Sequence, residues 1–250
     1  MSLSDDYSTG ILALLARIRS EEEDSIDRAA EAVAERLLQD RLIHVLGPGA
    51  HSFMGAEEMI YRSGGLVQVN AILDSGYSMV GGALRSTAIE RTPGYAQAIL
   101  KSQGLQPGDV LIIVNAYGVN CGAIDAALYA HQHGVSVIAV TSVEHAHSLP
   151  GDHPARHPSR QNLYELADIV VDTKVPVGDA ILTMEGMPQK VGPVSTFANA
   201  FALNLISLRA MEKCLARGWA PPVWQSGNSP GGDEANRANI ARYAGRIRHL

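Results

Sequence analysis

Residues 42–60, LIHVLGPGAHSFMGAEEMI, constrain this chain more than any other stretch. Leu42 to Leu46 is a short apolar run of strand type. Gly47, Pro48 and Gly49 break it, and Ser52 to Arg62 reads as a helix with Phe53, Met54, Ala56, Met59 and Ile60 available for packing. Strand, glycine turn, helix is the order that aims free backbone N–H groups at an anion. Glycine lets the backbone approach the ligand closely, and the first helical turn adds a favourable dipole. The stretch therefore predicts a pocket for a phosphate or another acidic group. A dinucleotide fingerprint competes with this reading, but its third glycine is Ser52 here, and the acidic residue expected on the next strand comes late, at Asp74. A turn with no ligand is the third reading.

The rest of the chain alternates in the same way. Residues 7–39 read as two helices, from the apolar sets Ile11, Leu12, Leu14, Leu15, Ile18 and Ile26, Ala29, Ala30, Val33, Leu37, Leu38. Short apolar runs at 42–46, 66–72, 109–114, 135–140 and 167–171 predict strands. Helices are predicted at 95–103, 121–133 and 194–217, the last opening at Ser195-Thr196. Residues 74–92 and 143–162 read as long polar loops, and 176–180 as a short turn. Continuous apolar strands alternating with helices indicate an α/β fold: a three-layer αβα sandwich around a parallel, doubly wound sheet of about five strands. Ligands of such sheets bind beyond the carboxyl ends of the strands, where the turns 47–52, 115–120 and 141–148 fall. The organisation expected is one domain over 41–217. Helices at 1–40 pack on it or on a partner subunit. A Pro- and Gly-punctuated tail at 218–250 contains a helix from Asp233, packed on the same or a neighbouring subunit.

Net charge is −6 and no basic block appears, which argues against nucleic acid as a partner. The two cysteines, Cys121 and Cys214, lie far apart and fit reduced thiols. No apolar run reaches membrane-spanning length, and MSLSDDYSTG lacks the zones of a secretory signal, so the expectation is a cytoplasmic protein.

Several stretches together resemble the SIS (sugar isomerase) domain over roughly residues 42–215. That family's first turn, G-x-G-x-S, is matched by Gly47, Gly49 and Ser52 with one residue extra. Its second signature, S-x-S-G-x-T, has its counterpart in Asn115-Ala116-Tyr117-Gly118-Val119-Asn120, which keeps the glycine but replaces the hydroxyl positions by Asn, Tyr and Asn. The flanks GDVLIIVN and AIDAALYAHQHGVSVIAVTS are also SIS-like. AEEMIYRSGGLV, HPSRQNLYELADIVVD, VGDA and NSPGGDEAN resemble bacterial single-domain SIS proteins described as sugar or phosphoheptose isomerases. The resemblance implies a homodimer or homotetramer that binds a phosphorylated or similarly acidic sugar. It maps Ser52, Asn115, Gly118 and Asn120 to the anion-holding positions, beside Gly49 and the Tyr117 phenol, with Ser195 and Thr196 as extra donors. Amides and a phenol still donate hydrogen bonds, so an acidic group remains acceptable.

Aldose–ketose isomerisation needs a base beside the carbonyl, a donor to the developing enediolate, and a group that opens the ring. The candidate bases are Glu57, Glu58 and Glu90, and the candidate histidines are His51 and His157. The heptose-type enzymes of the family carry a histidine in the C-terminal helix, whereas residues 194–217 contain none. The histidine must then come from elsewhere, with a subunit interface one source. His145, His147, His153 and His157 do not follow a recognised ligand spacing, so neither a metal nor a cofactor is expected. The alternatives are a non-catalytic sugar-phosphate sensor and an SIS-type lyase or etherase acting on an amino-sugar phosphate.

Overall fold

The structure is a computed structural model that describes residues 2–250. In chain order its elements are α1 (Leu3–Glu21), α2 (Glu23–Leu38), β1 (Ile43–Leu46), α3 (Ala50–Met59), β2 (Val69–Ala71), α4 (Ala83–Glu90), α5 (Tyr95–Lys101), β3 (Val110–Val114), α6 (Cys121–Gln132), β4 (Ser136–Thr141), α7 (Val143–Ser148), α8 (Leu163–Leu166), β5 (Ile169–Asp172), β6 (Ala180–Leu182), β7 (Val191–Pro193), α9 (Ser195–Ala216) and α10 (Gly232–Tyr243). The five strands β1–β5 form one sheet in the order β2-β1-β3-β4-β5, all parallel, as the apolar runs predict.

The period of two along each strand divides its side chains between two cores. Ile43 and Val45 of β1, Val110, Ile112 and Val114 of β3, and Ile138 and Val140 of β4 pack with α1, α2, α3 and α9. Leu46, Leu111, Ile113, Val137 and Ala139 face the opposite way, toward α5 and α6. Both faces are covered, and for that reason the strands read as unbroken apolar runs.

Four stretches differ from the sequence reading. Residues 74–92 are not a loop: a 3₁₀ turn at Met79–Gly81 leads into α4. Gly82, at φ 107°, starts that helix without a side-chain cap, and Ser86 is its one buried residue, so neither a cap nor an apolar stripe marks it in the sequence. The loop after β4 opens with the short helix α7, capped by Ser142. The stretch after Asp179 is an antiparallel hairpin, β6–β7. Strand β2 is shorter than the run 66–72 because Leu66 and Val67 pair with the tail instead: Val67 N–H donates to Pro222 C=O at 3.0 Å, and Trp224 N–H donates to Gly65 C=O at 3.0 Å.

That tail lies against its own chain's β2 edge. Val67, Trp224, Tyr243 and Ile247 form a small apolar cluster, and Asp40 accepts from the Tyr243 hydroxyl at 3.1 Å and Arg246 Nη1 at 3.0 Å.

Candidate active site

The strand order reverses between β1 and β3, and the loops leaving their carboxyl ends part at that point, which opens a crevice. A cavity of about 190 Å³ occupies it. One wall is the turn into α3. Gly49 has φ 132°, outside the range of ordinary L-residues, and a Cβ there would overlap a Glu90 carboxylate oxygen. A Cβ on Gly47 would overlap the Ser52 carbonyl. The two glycines thus permit a turn too tight for any side chain. The first α-helical bond runs from Phe53 N–H to Gly49 C=O at 2.8 Å. The amides of Ala50, His51 and Ser52 precede it and have no partner inside the helix. All three residues line the cavity, which lies at the positive end of the helix.

The second wall is the turn after β3. Buried Asn115 clamps the two walls together: its Nδ2 donates to Pro48 C=O at 2.9 Å, while its Oδ1 accepts from Tyr117 N–H at 3.2 Å and Gly118 N–H at 2.7 Å. Gly118 needs its φ of 60°, and a Cβ there would come 2.6 Å from Thr141 Oγ1. Asn120 lines the cavity, but its amide also bonds internally, to Ala155 C=O at 3.0 Å. Asn115, Asn120 and Gly118 therefore build the wall. Tyr117 presents its phenol to the cavity, with its ring stacked on His145 at 3.7 Å between centroids.

Glu90, the last residue of α4, closes the space opposite. Burial pushes its carboxyl up from 4.5 to about 7, and Arg91 opposes this only in part. A carboxyl of this kind exchanges a proton near neutral pH, as a general base must. Thr87, one turn earlier on the same face of α4, lines the cavity with it.

The floor comes from α9. Asp179 accepts from Ser195 N–H at 2.7 Å, Ser195 Oγ–H at 2.7 Å and Val194 N–H at 3.1 Å. The start of α9 is thereby satisfied by the chain's own carboxylate, and Ser195 donates to Asp179. Asn199, one turn along at i+4, is buried, lines the cavity and leaves its Oδ1 without a partner.

The sequence candidates separate accordingly. Gly49, His51, Ser52, Glu90, Asn115, Tyr117, Asn120 and Ser195 all line the cavity. Glu57, Glu58, Gly118, His157 and Thr196 do not, Gly118 being held behind the wall by Asn115 Oδ1. The cavity lies at the amino end of α3, and Glu58 is eight residues further on, about 12 Å along the axis. Glu57 is exposed, and Glu58 turns to α9, accepting from Asn204 Nδ2 at 3.2 Å and pairing with Arg62 at 3.2 Å. His157 is a fastening of its loop: Ser159 N–H donates to its Nδ1 at 3.0 Å, so its Nε2 carries the proton toward Asp125 at 3.3 Å. Among the described residues no group of three or more His, Cys, Asp or Glu is arranged to hold a metal ion. Thr87, Asp179 and Asn199 are not among the site residues expected from the sequence. Asp179 sits within the VGDA stretch and Asn199 follows Ser195 at helical spacing, but neither carries a signal of its own.

Comparison with known proteins agrees with this architecture. The SIS domain profile matches residues 6–142, more than half of the sequence, and the chain belongs to the SIS domain family. It is 40% identical to a UPF0309 protein of Brucella anthropi over 248 residues, 99% of each chain. It is 37% identical to one of Brucella canis over the same span. Among solved structures, a phosphoheptose isomerase of Neisseria gonorrhoeae superposes on 86% of this chain and all of its own with a TM-score of 0.53 at 17% identity. The NanR protein of Vibrio vulnificus, complexed with ManNAc-6P, covers 99% of this chain and 71% of its own with a TM-score of 0.50 at 14% identity. At such identities these two likenesses bear on the fold.

Proposed function

We propose that this protein is an aldose–ketose isomerase acting on a phosphorylated or similarly acidic sugar. The observation that carries the reading is the placing of Glu90 against Gly49: a carboxyl pushed up to about 7 lies in the same cavity as the free amides of Ala50, His51 and Ser52. The amides and the α3 dipole take the acidic end of the sugar. Glu90 then removes the proton from the carbon beside the carbonyl and returns it to the neighbouring carbon.

Among the described residues no lysine or arginine lines the cavity, so the charge of the ligand is met by amides, hydroxyls and the helix dipole. Asp179 is turned into the α9 amides. Glu90, half protonated near neutrality, adds less repulsion than an ordinary carboxylate. The reading is supported by kinship with the SIS family and by the fold shared with a phosphoheptose isomerase.

The test is incorporation of solvent deuterium into pentose, hexose and heptose phosphates. The wild type is expected to label the carbon beside the carbonyl of at least one of them, and Glu90→Gln to label none. Binding without labelling by the wild type would make the protein a sensor. Labelling accompanied by release of a fragment would make it a lyase.

A further inference from the structure

Removal of a proton by Glu90 leaves negative charge on the substrate's carbonyl oxygen, and the cavity needs a donor aimed at that oxygen. Of the side chains lining the second wall, Asn115 and Asn120 already donate to backbone carbonyls. Tyr117 does not. Its phenol has no hydrogen-bonded partner among the described residues, and it stays protonated because burial, and then the nearby Asp179 and Glu90, push it up.

The position of Tyr117 is also fixed from two sides. Its backbone N–H is held by Asn115 Oδ1, and Asn115 in turn holds Pro48 of the opposite wall. Its ring lies flat on the His145 imidazole, 20° from parallel. His145 is itself pinned, since its backbone N–H donates to Ser142 Oγ at 3.3 Å and its ring Nδ1 accepts from Gly178 N–H at 3.3 Å. A free hydroxyl on so constrained a ring, in the cavity that the Glu90 carboxyl closes, is arranged in advance rather than by the ligand.

We propose that Tyr117 is a catalytic acid of the isomerisation, its phenol donating to the oxygen of the substrate's carbonyl. The inference rests on the isomerase reading. In the forward direction from an aldose, the Glu90 carboxylate takes the proton on carbon 2, and the carbon–hydrogen electron pair forms the double bond between carbons 1 and 2. The carbonyl π pair moves onto oxygen 1, which receives the Tyr117 proton and gives the enediol. The phenolate then takes the proton of the hydroxyl on carbon 2. As that carbonyl forms, carbon 1 receives the proton held by Glu90. Both side chains end as they began, and no oxidant or co-reactant enters.

The experiment compares wild type, Tyr117→Phe and Glu90→Gln on whichever sugar phosphate of the panel the wild type labels, with thermal unfolding as a control on folding. Tyr117→Phe keeps the ring on His145 and removes one oxygen. The expected result is a fall in kcat of about 100-fold or more with KM within about twofold, and loss of the alkaline limb of the pH–rate profile. Wild-type turnover in Tyr117→Phe beside an inactive Glu90→Gln would overturn the role of Tyr117 and leave the isomerase standing. A lowered kcat with the alkaline limb unchanged would make Tyr117 a structural residue and overturn the proposal equally. A wild type that labels nothing would overturn both.

Discussion

Replacing Glu90 by glutamine should make the protein more stable, and only above a defined pH. The folded chain holds the Glu90 proton more tightly than the unfolded chain, because burial moves the carboxyl from 4.5 to about 7. Between those two values the folded state binds the extra proton, so stability falls as pH rises and is flat on either side. The displacement corresponds to about 3 kcal/mol at full extent. Glutamine does not ionise and has nearly the same shape. Glu90→Gln is therefore expected to match the wild type near pH 4.5 and to exceed it by up to about 3 kcal/mol above pH 7. Urea unfolding across this range, read as midpoints at constant slope, measures the difference. Parallel stability curves for the two proteins at every pH would show that Glu90 is not desolvated and would remove the ground for calling it a base. A stabilising change that abolishes turnover is the usual mark of a strained functional group.

Other outcomes follow from the same geometry. Gly49→Ala forces a Cβ into the Glu90 carboxylate at φ 132° and should destabilise by about 1–3 kcal/mol while abolishing binding of inorganic phosphate, measured by calorimetry. Asp179→Ala strips the start of α9 of the carboxylate that accepts from Val194 and Ser195, and should lower stability by about 1–2 kcal/mol in urea unfolding. Asn199→Leu replaces a buried carboxamide whose Oδ1 is unpaired, so stability should hold or rise while KM for the sugar phosphate increases. Burial holds His145 below its usual 6.5, so it contributes stability that is present above that pH and lost as pH falls through it. Imidazole ¹⁵N spectra should show the His145 ring still neutral at pH 6.5, the ordinary value below which burial holds it.

The sheet was legible because each central strand is buried on both faces and so reads as one apolar run: VLIIV at 110–114 and SVIAVT at 136–141 admit little else. The anion turn was legible from Gly47 and Gly49, whose missing side chains the backbone demands. Helix α4 was not legible, since a glycine start and a mostly exposed surface leave neither a cap nor a stripe. That gap hid the relation between Glu90 and Gly49, which are distant in sequence and meet only because α4 packs across the crevice. Glu57 and Glu58 drew notice by adjacency to the turn, but about two helical turns separate Glu58 from the cavity. Asp179 reaches the site because the loop after β5 places it, at φ 65°, over the first turn of α9, a geometry that no periodicity encodes.

The central claim is that the free amides opening α3 hold the acidic end of a sugar whose other end reaches Glu90. A crystal structure of the protein with a bound sugar phosphate tests it most directly. The account requires phosphate oxygens at about 3 Å from the amides of Ala50, His51 and Ser52, with the carbon beside the carbonyl next to the Glu90 carboxylate. A phosphate held elsewhere, or a sugar lying with its carbonyl end away from Glu90, would contradict it.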